Sequence, residues 1–241
     1  MLAFDDVSLR FRGGAGVERL AFRVDPGEVV ALIGLNGAGK TTLMRLALGM
    51  LRPREGTVRL FGGPLTTMPP ASWARVGALI EVPLAYPELT VRENLRIASL
   101  LRGADPRTVV QGSLEAWRLE PLAERRFRRL SLGNRQRTGL AAALQHDPAF
   151  IVLDEPSNAL DPASVILLRD QLTRRARDGA AVLVSSHHLD EVARIADRVL
   201  LMNAGRLIGE LDTSGTDVER AFFERIRDDD EHRAERGEVP L

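Results

Sequence analysis

The 241-residue sequence contains no cysteine. That excludes disulfide staples and thiolate metal sites, and it fits a reducing compartment. Lysine is nearly absent as well: of 33 basic residues, all but Lys40 are arginine. Neither sign of charge is in excess. The 33 Lys and Arg balance 33 Asp and Glu, so no global basic field argues for nucleic acid. Long hydrophobic runs are missing too. The longest uncharged stretch, Leu60 to Ala74, is broken by Pro64, Pro69 and Pro70. A membrane-spanning helix needs about 20 apolar residues, so none is expected here. The opening Met1-Leu2-Ala3-Phe4-Asp5-Asp6 lacks the basic flank and apolar run of a secretion signal. What remains is ordinary globular composition, 44% apolar and 27% charged. The length corresponds to one or two domains with room for a substantial core.

The single lysine is informative. The arginine excess itself reads as codon bias. Arginine replaces lysine freely only where a solvated positive charge suffices, whereas a compact ammonium on a flexible stem is needed to enter a tight oxygen cage. Lys40 lies in Gly34-Leu35-Asn36-Gly37-Ala38-Gly39-Lys40-Thr41-Thr42, which fits the phosphate-binding pattern G-x-x-x-x-G-K-[ST]. The run Glu28 to Ile33 before it reads as a buried strand, and Thr41 to Met50 after it reads as a helix. Glycines let backbone N–H groups turn onto phosphate oxygens, and the helix N-terminus adds partial positive charge. In this pattern Lys40 is expected to reach the β- and γ-phosphates of a bound nucleotide, and the Thr41 hydroxyl to ligate Mg²⁺. A glycine-rich turn with a chance lysine is the plainer alternative.

A second strand, Phe150-Ile151-Val152-Leu153, ends in the acid pair Asp154-Glu155. Acids at the C-terminal end of a buried strand face the ligand crevice of a parallel α/β sheet. Asp154 is expected to hold Mg²⁺, and Glu155 to act as general base on an attacking water. A helix-capping acid after a strand is the structural alternative.

Four further stretches, in order, make the sequence resemble the nucleotide-binding subunit of an ATP-binding cassette (ABC) transporter. Leu130-Ser131-Leu132-Gly133-Asn134-Arg135-Gln136-Arg137 resembles that family's L-S-G-G-Q signature, and Ser157-Asn158-Ala159-Leu160-Asp161 its D-loop. Ala181 to Ser185 reads as a strand running into Ser186-His187-His188, like the switch histidine. Phe11 stands where the family places an aromatic that stacks on adenine. The resemblance covers roughly Leu2 to Asp212. It implies that Ser131, Gly133 and Asp161 serve nucleotide, and that His187 contacts the γ-phosphate and positions water. His188 reads as the start of the next helix. The residues also permit duller roles: Ser131 suits a helix N-cap, and a histidine after a buried strand can simply satisfy a carbonyl.

The sequence departs from the family pattern in three places. Glu81 occupies the Q-loop position, where it could reach the metal but adds negative charge beside phosphates. Leu132 replaces the first signature glycine and Asn134 the glutamine. With Glu81, this signature resembles the branch that exports bacitracin, lantibiotics or drugs more broadly.

The resemblance implies an α/β fold: a P-loop NTPase parallel-sheet core, an N-terminal antiparallel β subdomain and an inserted helical subdomain near residues 88–146. Residues 1–227 would form the ATPase domain. Residues 228–241, rich in charge, are expected to fray. Thr90 and Glu93 have the spacing of a capping box, and Thr216 to Ile226 reads as an amphipathic helix. The cluster Arg125-Arg126-Phe127-Arg128-Arg129 reads as a solvated or headgroup-facing patch rather than a nucleic-acid site. The resemblance further implies a head-to-tail homodimer with ATP at its interface, a separate transmembrane permease docking near Glu81 to Leu89, and a peripheral location on the cytoplasmic side of the cell membrane. A soluble cassette ATPase acting on ribosomes or DNA is the rival. A GTPase is excluded, because no Asn-Lys-x-Asp guanine reader can exist with Lys40 as the only lysine.

Overall fold

A computed structural model describes residues 1–187, 189, 194–213 and 217–236. The chain opens with β1 (Leu2–Arg10) and β2 (Gly16–Val24), then β3 (Val29–Ile33), α1 (Lys40–Ala47), β4 (Glu55–Leu60), β5 (Gly63–Pro64) and β6 (Val76–Leu79). The helices α2 (Val91–Leu101), α3 (Pro106–Ala116) and α4 (Leu132–Leu144) follow. The remainder is β7 (Phe150–Leu153), α5 (Pro162–Arg177), β8 (Ala181–Ser186), β9 (Arg198–Asn203), β10 (Arg206–Glu210) and α6 (Val218–Glu235). Among the described residues there are two sheets: an antiparallel one ordered β2-β1-β4-β5, and a six-stranded one ordered β10-β9-β3-β8-β7-β6.

The larger sheet is parallel from β9 to β6. Its central strands β3, β7 and β8 are buried along their whole length, which is why they read as near-continuous apolar runs rather than alternating ones. Val29, Ala31 and Ile33 point into one core with Leu95, Leu114, Trp117, Leu140 and Leu172 of the helices. Val30 and Leu32 point into the other, with Phe4, Leu20, Leu43 and Met44. Burying each such side chain is worth about 1.5–3 kcal/mol. β10 is the exception to the parallel arrangement. It pairs antiparallel with β9 across Ala204-Gly205, whose φ values of 43° and 79° give the doubly left-handed turn that suits a two-residue hairpin.

Register aligns the functional ends of the strands. Ile33 lies beside Ser186, and Leu153 lies between Leu79 and Val184. The residues that follow Ile33, Leu153 and Val184 therefore meet at one edge of the sheet. Thr90 and Glu93 form the expected capping box at α2: the Thr90 hydroxyl accepts from Glu93 N (3.2 Å), and the Glu93 carboxylate accepts from Thr90 N (2.7 Å). The Thr90 backbone N–H, and then its hydroxyl, donate to the Glu93 carboxylate and hold that carboxyl below its ordinary pKa. The arginine cluster is answered by Glu88, which pairs with Arg126 (3.6 Å) and Arg128 (3.1 Å).

The C-terminal stretch differs from its expectation. Helix α6 begins at the Asp217 cap and runs through Asp228 to Glu235 instead of fraying at residue 228. Phe222 and Ile226 bury its apolar side, Arg227 pairs with Glu231 (3.7 Å), and Arg233 is buried. Thr216, His188 and residues 237–241 lie outside the described residues.

Candidate active site

Gly34 follows β3 with no room for a side chain: a Cβ there would lie 2.2 Å from the Met202 carbonyl oxygen. Gly37 and Gly39 take φ of 83° and 103°, the left-handed region that favours glycine. Gly39 caps α1 without any side-chain hydrogen bond, so the first-turn N–H groups and the positive end of the helix dipole face the loop. Leu35, Asn36 and Gly37 are exposed along the rim, while Ala38 is buried. Lys40, only 7% exposed, starts the helix and turns back inward. Its Nζ donates to the Gly34 carbonyl at 2.7 Å and the Leu35 carbonyl at 3.3 Å, and lies 3.6 Å from Glu155 Oε1. Thr42, next to Thr41 in the first turn of α1, is half-buried.

The acid pair sits beside this loop. The Thr41 hydroxyl donates to Asp154 Oδ2 at 2.7 Å. On its other side, Asp154 Oδ1 accepts from the Ser185 hydroxyl at 2.6 Å, and Ser185 Oγ in turn accepts from Glu155 N at 2.8 Å. Glu155 has φ of 47°, a left-handed conformation that costs about 1–2 kcal/mol for a residue with a Cβ. Its Oε2 takes the His187 backbone N–H (3.2 Å) and lies 2.6 Å from His187 Nδ1. An ionised carboxylate only accepts, so that contact suits the imidazole tautomer with its hydrogen on Nδ1. Lys40, Thr41, Asp154, Glu155 and His187 are thus brought together as their sequence positions predict. Ser185, which fastens both acids, is the partner that sequence reasoning missed. Its signal was a hydroxyl closing an otherwise apolar strand.

Thr41 and Asp154 offer hard oxygen donors of the kind Mg²⁺ takes alongside substrate phosphates. Among the described residues, no cluster of three or more His, Asp or Glu forms a metal-binding set. Glu81, the third residue expected at the metal, is turned elsewhere. It adopts φ of 61°, and its Oε1 pairs with Arg45 of α1 at 2.7 Å. Arg45 therefore offsets the extra negative charge that a glutamate brings to this position.

The signature elements sit on α4 and the turn that follows Glu155. Ser131 caps α4, its hydroxyl accepting from Asn134 N at 3.3 Å. Leu132 faces solvent at 68% exposed, so no glycine is demanded there. Gly133 is different, since a Cβ would lie 2.6 Å from the Ala159 carbonyl oxygen. Gln136 of the same helix donates to the Pro156 carbonyl at 3.1 Å, so α4 and the 156–161 turn pack together. Asp161 caps α5 by accepting from Ser164 N at 2.7 Å, and its contacts with Ser164 hold its carboxyl below the ordinary pKa. Among the described residues, no hydrogen bond or ion pair joins Ser131, Gly133 or Asp161 to the loop around Lys40. Phe11 is 43% exposed on the turn between β1 and β2, whose Gly16 and Val17 abut Gly39.

The family model described as ABC transporter matches residues 17–158. The bacitracin transport ATP-binding protein BcrA of Enterococcus faecalis is 39% identical over 199 residues, covering 82% of this chain and 65% of its own. The Nod factor export ATP-binding protein I of Paraburkholderia xenovorans is 37% identical over 212 residues, covering 87% and 70%. The chain thus spans about two thirds of the length of these curated relatives. A solved ATP-binding subunit of an ABC transporter superposes with a TM-score of 0.81 at 30% identity, covering 94% of each chain. A dimeric ATP-binding cassette in a post-hydrolysis state, bound to ADP and Pi, shares the fold with a TM-score of 0.81 at 23% identity, covering 89% of this chain and all of that one.

Proposed function

We propose that this chain, which belongs to the ABC transporter family, binds and hydrolyses ATP to drive a membrane exporter of a drug or antimicrobial peptide. The observation that carries the reading is the joined network Thr41–Asp154–Ser185–Glu155–His187, with Lys40 against Glu155. Lys40 and the N–H groups of residues 34–42 bind the phosphates, and Thr41 and Asp154 hold Mg²⁺. The cation supplies charge neutralisation along the triphosphate. Phe11 offers a ring face for adenine. Glu155 takes the proton of the attacking water, and His187 holds that carboxylate in line. Because Glu155 N is fastened to Ser185, the base has a fixed backbone from which to act.

Ser131 and Asp161, whose hydrogen bonds are local helix caps rather than contacts with the loop of their own chain, serve the loop of a second copy packed head to tail. Ser131 then presents its hydroxyl and the positive end of α4 to the partner-bound phosphate. Among the described residues no helix is long and apolar enough to cross a membrane. The transport and export names of the relatives support a transmembrane permease as partner, with this subunit on the cytoplasmic membrane surface. The docking segment is Glu81 to Leu89. Val82, Leu84 and Tyr86 are exposed, yet the segment is anchored, since Asn94 accepts from Tyr86 N (2.7 Å) and donates to the Tyr86, Leu89 and Thr90 carbonyls. The transport and export names of the relatives favour this over a soluble ATPase acting on ribosomes or DNA.

The test mixes two dead variants. Ser131→Arg subunits and Lys40→Ala subunits each fail alone, because neither builds an intact site. A mixed head-to-tail pair has one site with an intact loop and an intact signature, so ATPase activity returns once subunit exchange is verified. Full activity from Ser131→Arg as a verified monomer overturns the shared-site reading.

A further inference from the structure

Behind the phosphate-binding loop lies the turn between β9 and β10. The Met202 carbonyl fills the space where a Gly34 side chain would go, and Met202 Cε does the same at Gly39, 2.7 Å from a Cβ there. Gly205 N donates to the Ala38 carbonyl at 2.9 Å. Three loop residues therefore rest on residues 202–205. On its far side the turn is pressed against β2: a Cβ on Gly205 would lie 2.5 Å from the Gly16 carbonyl, and Glu18 N donates to the Gly205 carbonyl at 2.8 Å.

Helix α6 holds the same turn from outside. Asn203, 7% exposed, donates from its single amide nitrogen to Asp229 Oδ2 at 2.9 Å and to Asp230 Oδ1 at 2.8 Å. Arg206, paired with Asn203 across the hairpin, reaches Asp229 at 3.4 Å. The buried Phe222 and Ile226 fix the helix that carries these acids. Hydrogen bonds with an ionised acceptor are short and strong, and this pair uses both hydrogens of one amide.

We propose that Asp229 and Asp230 are positioning residues for the nucleotide loop: through Asn203 they fix the β9–β10 turn, and the turn sets the place of Gly34, Ala38 and Gly39. The consequence for nucleotide rests on the ATP reading of that loop, whereas the mechanical link does not.

The test reverses the polarity of the contact. Asn203→Asp sets a third carboxylate against Asp229 and Asp230 and pushes the turn away. The triple variant Asn203→Asp, Asp229→Asn, Asp230→Asn restores donors opposite acceptors, now in the other direction. Two quantities are read: amide hydrogen exchange across residues 34–42 without nucleotide, and ATP affinity by equilibrium binding. Asn203→Asp is expected to speed loop exchange and weaken ATP binding, each by roughly tenfold. Asn203→Ala gives a smaller change of the same sign and serves if the first variant fails to fold. The triple variant returns both quantities toward the parent. A lowered melting temperature with unchanged loop exchange and ATP affinity in the single variants overturns the proposal, as does a folded triple variant that restores neither. A parent protein that binds no ATP overturns the nucleotide reading, while loop exchange still decides the link from α6.

Discussion

Glu155→Gln is expected to bind ATP at least as tightly as the parent while hydrolysing it about 10²-fold or more slowly. Glutamine keeps the shape of the side chain and removes its capacity to take a proton. It also removes a negative charge 3.6 Å from Lys40, and a freer ammonium favours phosphate. Binding without turnover traps the ATP-bound form, so size-exclusion chromatography with ATP should show a dimer that the parent forms only transiently. The measurements are ATP affinity, phosphate release and elution volume. Parental turnover in this variant reassigns the base, with His187, 2.6 Å from the Glu155 carboxylate, next in line.

Lys40→Arg is expected to lose most ATP binding although the charge is kept. The Gly34 carbonyl, the Leu35 carbonyl and Glu155 converge on one nitrogen at 2.7, 3.3 and 3.6 Å. A planar guanidinium is wider than an ammonium and presents its donors in a fixed fork. Losing two charge-assisted hydrogen bonds from the ammonium to the phosphates, at about 1.5–3 kcal/mol each, corresponds to about 10²-fold or more in affinity. Equilibrium binding with a fluorescent ATP analogue measures it, with circular dichroism to verify folding. Near-parental affinity would show that the cage has room for any cation.

The parts of this site that were legible in the sequence are those carried by short-range pattern. A strand, a glycine loop and a lysine at a helix start lie within 13 residues of chain, Glu28 to Lys40, and the acid pair follows its own strand directly. The capping box at Thr90 needs a spacing of three. What stayed hidden depends on register between distant segments. Ser185 reaches Asp154 only because β7 and β8 pair with Leu153 beside Val184. Arg45 meets Glu81 because α1 and the end of β6 approach from separate parts of the chain. The signature was legible but its odd residue was not explained until packing was known: Leu132 faces solvent, and Gly133 alone bears the close approach of Ala159. The C-terminal helix outruns its expectation because charge density alone predicts fraying, whereas Asp229 and Asp230 are held on Asn203.

The lone lysine also makes the chain its own proteolytic reporter. A lysine-specific endoprotease has one bond to cut in this sequence, Lys40–Thr41, at the buried start of α1. A protease needs several residues of extended backbone, which helix and cage withhold. When opening and reclosing outpace cleavage, the cutting rate tracks the population of open loop. The loss of the intact band on a gel, as two fragments appear, therefore reads the opening equilibrium of the nucleotide loop, without a label and without a mutation.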